Sequence, residues 1–148
     1  SGAPLTHVPY RGGGPAVNDL LGGTVPMVFS SLITVLPHIK SGKLRAIAVT
    51  STKREAALPD VPTLGETYAG TEMNSWLGFW GPANLPPAVA QRLSDEIIKA
   101  LKNPEVRAKL DAAGLVVMAL SPAETGALVA REFEARGQLI RSAGIKAE

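Results

Sequence analysis

The sequence contains no cysteine, which excludes disulfide bonds, cysteine–metal centres and thiol nucleophiles. It has only two histidines, His7 and His38, which lie far apart and fit no known metal-ligand spacing. The net charge is only +2, and no block of lysine or arginine occurs, which argues against a nucleic-acid-binding surface. No apolar run approaches the roughly 20 residues of a membrane span. We therefore expect neither a metal site nor a nucleic-acid partner.

What the chain does have is the composition of a globular protein. Its 148 residues are 45% hydrophobic and 19% charged, enough for one substantial core. Segments typical of strands alternate with segments typical of helices, which predicts an α/β fold with mainly parallel pairing. The predicted strands are 5–8, 25–30, 44–50, 75–81 and 115–120. The predicted helices of the first half are 15–21 and 33–40, with one helical turn near 64–67.

The last third of the chain carries the clearest helix signals. A helix that begins after Pro86 has four apolar residues at intervals of four, which predicts a buried face made of Val89, Leu93, Ile97 and Leu101. The pair Asn103-Pro104 predicts the start of the next helix. The segment 121–124, Ser-Pro-Ala-Glu, has the pattern of a capping box and predicts the start of the last helix.

The most informative segment is 7–15, with the sequence His-Val-Pro-Tyr-Arg-Gly-Gly-Gly-Pro. A short strand enters a basic, glycine-rich turn that opens a helix, and such a turn can hold a small anion with backbone N–H groups and the helix dipole. The turn lacks the last glycine of GxGxxG and is followed by no Gly-Lys-Ser/Thr, so we expect no nucleotide cofactor and no other cofactor. The alternative is a turn that only needs positive φ, beside a solvated arginine. The candidate anion-binding residues here are Tyr10, Arg11, Gly12, Gly13 and Gly14.

Hydroxyl and indole groups provide further candidates for ligand contacts. Ser30 and Ser31 follow the second predicted strand, and Thr50 ends the third, where open α/β sheets bind their ligands. Ordinary helix or turn capping is the alternative for each hydroxyl. Trp76 and Trp80 would share one face of a strand, either as core or as an aromatic wall beside a ligand.

Catalytic patterns are lacking. The sequence has no GxSxG elbow, and the carboxylates of the helices are most simply solvated, without a pair suited to acid–base catalysis. We therefore expect a protein that is not an enzyme.

Seven segments give the chain a family resemblance: 7–16, 19–23, 36–39, 42–50, 58–63, 76–83 and 143–146. In this order and at these spacings, the chain from residue 5 to 148 resembles the rear half of the extracytoplasmic solute-binding receptors of tripartite tricarboxylate transporters, the Bug or TctC family. One departure is Pro26, where the family usually has an acidic residue.

The resemblance implies a two-lobed clamp of the type II periplasmic-binding-protein class, of which this chain would hold three parts. Residues 1–48 would be the later part of lobe two, 49–82 the crossover and hinge region, and 83–148 the C-terminal helices of lobe one. It also implies a periplasmic protein, with an export signal that is not in this chain, and a function without chemistry. The ligand would be a small carboxylate (a dicarboxylate, tricarboxylate, aromatic acid or amino acid), delivered to membrane transporter subunits.

Other functions stay open on the sequence alone. A related clamp serves as the ligand-sensing domain of transcription regulators, and a small α/β enzyme or a partner-dependent half-clamp are further alternatives. Unpaired sheet edges would also allow a dimer. Because half of the clamp's contacts would be absent, we expect this chain alone to bind carboxylates poorly.

Overall fold

The structure is a computed structural model that describes residues 4–145. The described residues form two compact units, one made of 4–78 with 109–116 and the other of 79–108 with 117–145. The predicted domain boundaries at residues 48 and 82 stay a prediction. The last residue of the family motif, Lys146, lies outside the described residues.

The first unit is built on two short helices that pack together, α1 (Gly13–Leu21) and α2 (Leu32–Lys40). Helix α1 begins two residues earlier than the sequence predicts, so that Gly13 and Gly14 form its first turn. The buried apolar side chains of the described residues all belong to this helix pair and are Ala16, Val17 and Leu36. This small core fixes the position of the segment that precedes α1 relative to the start of α2.

Gly114 allows the chain to pass very close to α2. Its φ is +81°, a conformation that side chains disfavour, and a Cβ built on it would lie 3.1 Å from atoms of both Leu32 and Leu36. Glycine is therefore favoured here for two reasons, the positive φ and the close approach of the two leucine side chains.

A parallel bridge joins Val49 to Thr63, and a short 3-10 helix (Leu64–Glu66) follows it. The predicted helical turn at 64–67 is thereby confirmed. Thr63 and Glu66 form a capping box, while Arg54 donates from Nε and Nη2 to the two oxygens of Glu66 at 2.8 and 2.7 Å. The hydrogen bonds from Arg54, and then those from Thr63, lower the pKa of Glu66 to about 2.

The second unit contains the long helices α3 (Pro87–Lys102) and α5 (Pro122–Ser142), together with the start of α4 (Pro104–Ala112), whose last residues belong to the first unit. Asn103 Oδ1 accepts a hydrogen bond from the N–H of Glu105 at 2.9 Å, which confirms the predicted cap of α4. The capping box of α5 is also confirmed, because the N–H of Ser121 donates to Glu124 Oε2 at 2.8 Å.

Two expectations from the sequence are wrong for the described residues. None of the five predicted strands forms a ladder within residues 4–145. The predicted strand 44–50 makes the isolated bridge from Val49 to Thr63 and accepts a backbone hydrogen bond at Thr50 from Met73, but these contacts do not continue from residue to residue along one partner strand. The predicted burial of the α3 face is also wrong at its start. Val89 and Leu93 are 45% and 50% exposed, whereas Ile97 and Leu101 are half-buried.

Candidate functional site

The start of α1 leaves backbone N–H groups available for a ligand. Its N-cap is Gly12, whose φ of 147° favours glycine, and no side chain of the described residues caps the helix. The N–H groups of Gly13 and Gly14 belong to the first turn, where a helix has no intrahelical partner for them. The positive end of the helix dipole lies at the same place, so this turn can receive a negative charge.

The start of α2 lies against this turn. A Cβ built on Gly13 would lie 3.1 Å from Ser30 Oγ and 3.6 Å from Thr34 Oγ1, so the backbone of the turn approaches both hydroxyls closely. Helix α2 also lacks a side-chain cap, since the hydroxyl of its N-cap, Ser31, lies 3.2 Å from Thr34 Oγ1 instead. Two helix N-termini without side-chain caps therefore converge beside Ser30.

The side-chain oxygen of Ser30 is the strongest single indication of a binding site in this region. Its Oγ is buried, and within residues 4–145 it has no hydrogen-bond partner. A buried polar group without a partner costs about 1–3 kcal/mol, so its retention calls for an explanation.

The two residues before the glycines, Tyr10 and Arg11, differ in whether their side chains are available to contact a ligand. Arg11 is exposed and forms no ion pair within the described residues, so its charge is available to a ligand. The hydroxyl of Tyr10, in contrast, donates to Asp19 Oδ2 at 2.7 Å. This hydrogen bond and, less strongly, burial raise the pKa of Tyr10 above its usual value of 10.0. Tyr10 therefore connects the turn to the end of α1, and because its hydroxyl already donates to Asp19 it has no proton left to donate to a ligand.

The remaining candidates belong to another part of the first unit. The hydroxyl of Thr50 donates to the carbonyl of Met73 at 2.8 Å, and the N–H of Met73 donates to the carbonyl of Thr50 at 2.7 Å. Thr50 thus holds two segments of the chain together. Trp76 is half-buried, with its indole Nε1 shielded from solvent. The structure brings Gly13, Ser30 and Ser31 together and gives Thr50 a structural contact.

Two residues near the turn escaped the sequence analysis. Thr34 lies within the apolar run Ile33-Thr34-Val35, and its position three residues after Ser31 was the available signal for a hydroxyl contact. Asp19 had no local signal, because its contact with Tyr10 depends on how the turn folds back on α1. Within residues 4–145, no three side chains of the metal-binding types cluster, and no helix has the length and apolarity to cross a membrane.

Solved structures define the class of fold to which the chain belongs. A periplasmic binding protein, BugD, matches it with a TM-score of 0.91 and 33% identity, over 99% of this chain and 50% of that one. The R. palustris protein Rpa4515, solved with adipate, matches with a TM-score of 0.91 and 28% identity, over 97% and 48%. The predicted α/β fold of the periplasmic-binding-protein class is confirmed, with this chain spanning about half of each structure.

The family follows from the sequence match. Residues 1–145 match the model of the TctC family, the tripartite tricarboxylate transporter family receptors, and the chain belongs to that family. It is 34% identical over 147 residues to the protein BugT of Bordetella pertussis, with 99% of this chain and 45% of BugT covered. It is 38% identical over 138 residues to a UPF0065 protein from Pseudomonas sp. strain P51, covering 92% and 41%. The predicted family is thereby confirmed.

Proposed function

We propose that this chain supplies the carboxylate-holding contacts of one half of an extracytoplasmic solute-binding receptor. The observation that carries the proposal is the buried Oγ of Ser30, which has no partner in the described residues and lies where the starts of α1 and α2 converge. Family membership supports the same function, because TctC proteins are the receptors of tripartite transporters. In the proposed role the chain binds and releases its ligand without chemistry.

The converging helix starts favour an anion over a neutral ligand. Each N-terminus carries a partial charge of about +0.5, and Arg11 adds a full charge in the exposed segment next to Gly12. The available donors are the N–H groups of Gly13 and Gly14 and the hydroxyl of Ser30. Three donors suit the two oxygens of one carboxylate, each of which accepts two hydrogen bonds.

The ligand class that we favour is the dicarboxylates. The relative Rpa4515 was solved with adipate, a chain of six carbons with a carboxylate at each end. In this proposal one carboxylate lies beside Ser30, while the other extends toward contacts that residues 4–145 do not provide. The receptor would work in the periplasm, as the description of BugD as a periplasmic binding protein supports, and would deliver its ligand to membrane transporter subunits.

The affinity of the chain alone should be weak. A hydrogen bond to a charged group contributes about 1.5–3 kcal/mol, whereas micromolar binding needs about 8 kcal/mol after the cost of association. Three donors on one carboxylate leave a net affinity near the millimolar range, which corresponds to about 4 kcal/mol. Contacts from a second lobe would supply the remainder.

The test is a titration of the isotope-labelled chain with adipate, followed by two-dimensional amide NMR. We expect the amide signals of residues 12–14 and 30–31 to shift with a common, millimolar dissociation constant. Adipamide, the neutral analogue, should leave them in place, because it lacks the charge that the helix dipoles attract.

Two serine variants, one on each side of α2, distinguish binding at the candidate site from nonspecific effects of adipate. Ser30→Ala removes the buried hydroxyl, and because that hydroxyl has no partner in the described residues, the variant should fold and lose most of the adipate response. Ser41→Ala is the matched control, since Ser41 donates to the carbonyl of His38 at the opposite end of the helix. Adipate shifts that persist in Ser30→Ala, or that never involve residues 12–14, would overturn the proposal.

A further inference from the structure

The end of α4, which belongs to the first unit, lies along one side of α2. Three side chains of α2 spaced four residues apart form a single stripe, namely Leu32, Leu36 and Lys40. A Cβ built on Gly114 would lie 3.1 Å from side-chain atoms of both leucines. Beyond the leucines, Lys40 Nζ donates to the carbonyl of Ala112 at 3.4 Å. The end of α4 therefore contacts α2 from its first residue to its last.

The backbone around Gly114 has a defined conformation. The N–H of Leu115 donates to the carbonyl of Leu110 at 2.9 Å, and the N–H of Gly114 donates to the carbonyl of Asp111 at 2.9 Å. These two hydrogen bonds, around a glycine with a φ of +81°, form a Schellman motif, in which the chain turns back over the last turn of its own helix. Gly114 is therefore held in place from its own side and meets α2 as part of a fixed surface.

The stripe of α2 begins directly beside the proposed carboxylate site. Leu32 is the first residue of α2 and follows its N-cap, Ser31. Ser30 precedes the N-cap, and its Oγ would lie only 3.1 Å from a Cβ built on Gly13. A helix of nine residues moves as one rigid element, and close-packed contacts transmit a displacement rather than absorb it. A displacement of Leu32 would therefore change the separation between Ser30 and Gly13.

We propose that Gly114 is a positioning residue of the carboxylate site, because it sets how closely the start of α2 approaches Gly13. A side chain at position 114 would push against Leu32 and Leu36 and displace the start of α2. The hydroxyl of Ser30 would then no longer converge with the N–H groups at the start of α1. The effect on ligand affinity rests on the proposed function, whereas the effect on the position of α2 does not.

The experiment compares Gly114→Ala with Gly70→Ala by two-dimensional amide NMR. Gly70 has the same φ of +81°, but a Cβ built there meets nothing within 4 Å. The control variant therefore has the same unfavourable backbone conformation without a contact to α2. In the absence of ligand, the amide signals of residues 13, 30 and 31 should move in Gly114→Ala and stay in place in Gly70→Ala.

An adipate titration of the same two variants gives the second readout. The folded Gly114→Ala protein should have a dissociation constant at least about threefold higher than that of Gly70→Ala, as expected for a change that acts on a site through intervening contacts. A residue that only stabilises the fold would lower the folded fraction and leave the dissociation constant of the folded protein unchanged.

A change at Leu32 tests whether the effect passes through α2. Leu32→Ala removes the Cγ and Cδ2 atoms that a Cβ at position 114 would meet. The double variant Gly114→Ala/Leu32→Ala should therefore bind adipate more tightly than Gly114→Ala does, which is the non-additivity expected of residues in contact. If Gly114→Ala does not fold, Leu32→Ala alone decides, because loss of the same contact should move the amide signal of Gly13.

The proposal is overturned if the ligand-free signals of residues 13, 30 and 31 stay in place in the folded Gly114→Ala protein. It is also overturned if that protein binds adipate as Gly70→Ala does, or if the double variant regains none of the lost affinity. An unchanged chain that does not respond to adipate would contradict the proposed function instead, and the ligand-free signals would still decide whether Gly114 positions α2.

Discussion

A single methyl group added at Gly13 tests how closely α1 approaches Ser30. The Cβ of an alanine at this position would lie 3.1 Å from Ser30 Oγ, which is closer than such atoms normally pack, and 3.6 Å from Thr34 Oγ1, which is an ordinary van der Waals contact. The next residue provides a matched control, because a Cβ at Gly14 meets nothing within 4 Å. Both glycines lie in the first turn of α1, so the two substitutions differ mainly in their surroundings.

The expected energies have opposite signs. Replacing glycine by alanine in a helix stabilises it by at most about 1 kcal/mol, and Gly14→Ala should show some of this gain. Gly13→Ala has the same helical gain, but crowding against the hydroxyl of Ser30 should cost about 1–3 kcal/mol. The two variants should therefore differ in their free energy of unfolding by about 1–3 kcal/mol, with Gly13→Ala the less stable.

The assay is urea unfolding of both variants, followed by circular dichroism at a helical wavelength. The adipate titration of the same proteins gives a second readout, in which Gly13→Ala should respond more weakly because its methyl group occupies the space beside Ser30. Equal unfolding free energies and equal titrations for the two variants would refute the close approach of the turn to Ser30.

Three further predictions concern contacts elsewhere in the first unit. Gly114→Ala should destabilise the chain by about 2–4 kcal/mol in urea unfolding, because it combines a positive φ with contacts at 3.1 Å to two leucines of α2; a stability like that of the unchanged chain would contradict the packing. Asp19→Ala should return the pKa of Tyr10 toward 10.0 in an ultraviolet titration, with Tyr10→Phe to identify the signal, and an unchanged midpoint would argue against the hydrogen bond. Glu66→Gln should have a lower free energy of unfolding than the unchanged chain above about pH 4.5, and this difference should fade as the pH drops toward 2. The reason is that a lowered pKa means that Glu66 stabilises the fold only while it is ionised. A difference in stability that does not depend on pH would rule out the pair with Arg54.

The helix boundaries of the second unit could be predicted because their causes are local. The cap of α5 needs only Ser121, the proline that follows and Glu124, all within four residues. The cap of α4 similarly needs only Asn103, whose Oδ1 accepts hydrogen bonds from the N–H groups of Glu105 and Val106. Burial is different, because the spacing of Val89 and Leu93 indicates which residues share a face but not what covers it. That is why the prediction of a buried α3 face was wrong at its start.

The sequence indicated which candidate segments lie near one another better than it indicated the contacts of their side chains. The glycine-rich turn and Ser30 were both expected at the ends of strands, and the structure brings Gly13 and Ser30 together. The role of Tyr10 was not predictable, since its partner Asp19 lies nine residues away and reaches it only through the geometry of the turn and α1. Thr50 shows the same limit, because its hydroxyl bonds to Met73, which is 23 residues distant.

In the proposed carboxylate site, the geometry of the turn would make binding specific without making it tight. The N–H groups at the start of α1 and the hydroxyl of Ser30 are fixed by the small core of α1 and α2, so they lose little entropy when a carboxylate arrives. Their number, however, would limit the affinity to about the millimolar range, as three charged hydrogen bonds must also offset the cost of association. A second set of similar donors, contributed by a second lobe, would add its free energy without a second association cost and would improve the affinity by about a thousandfold or more.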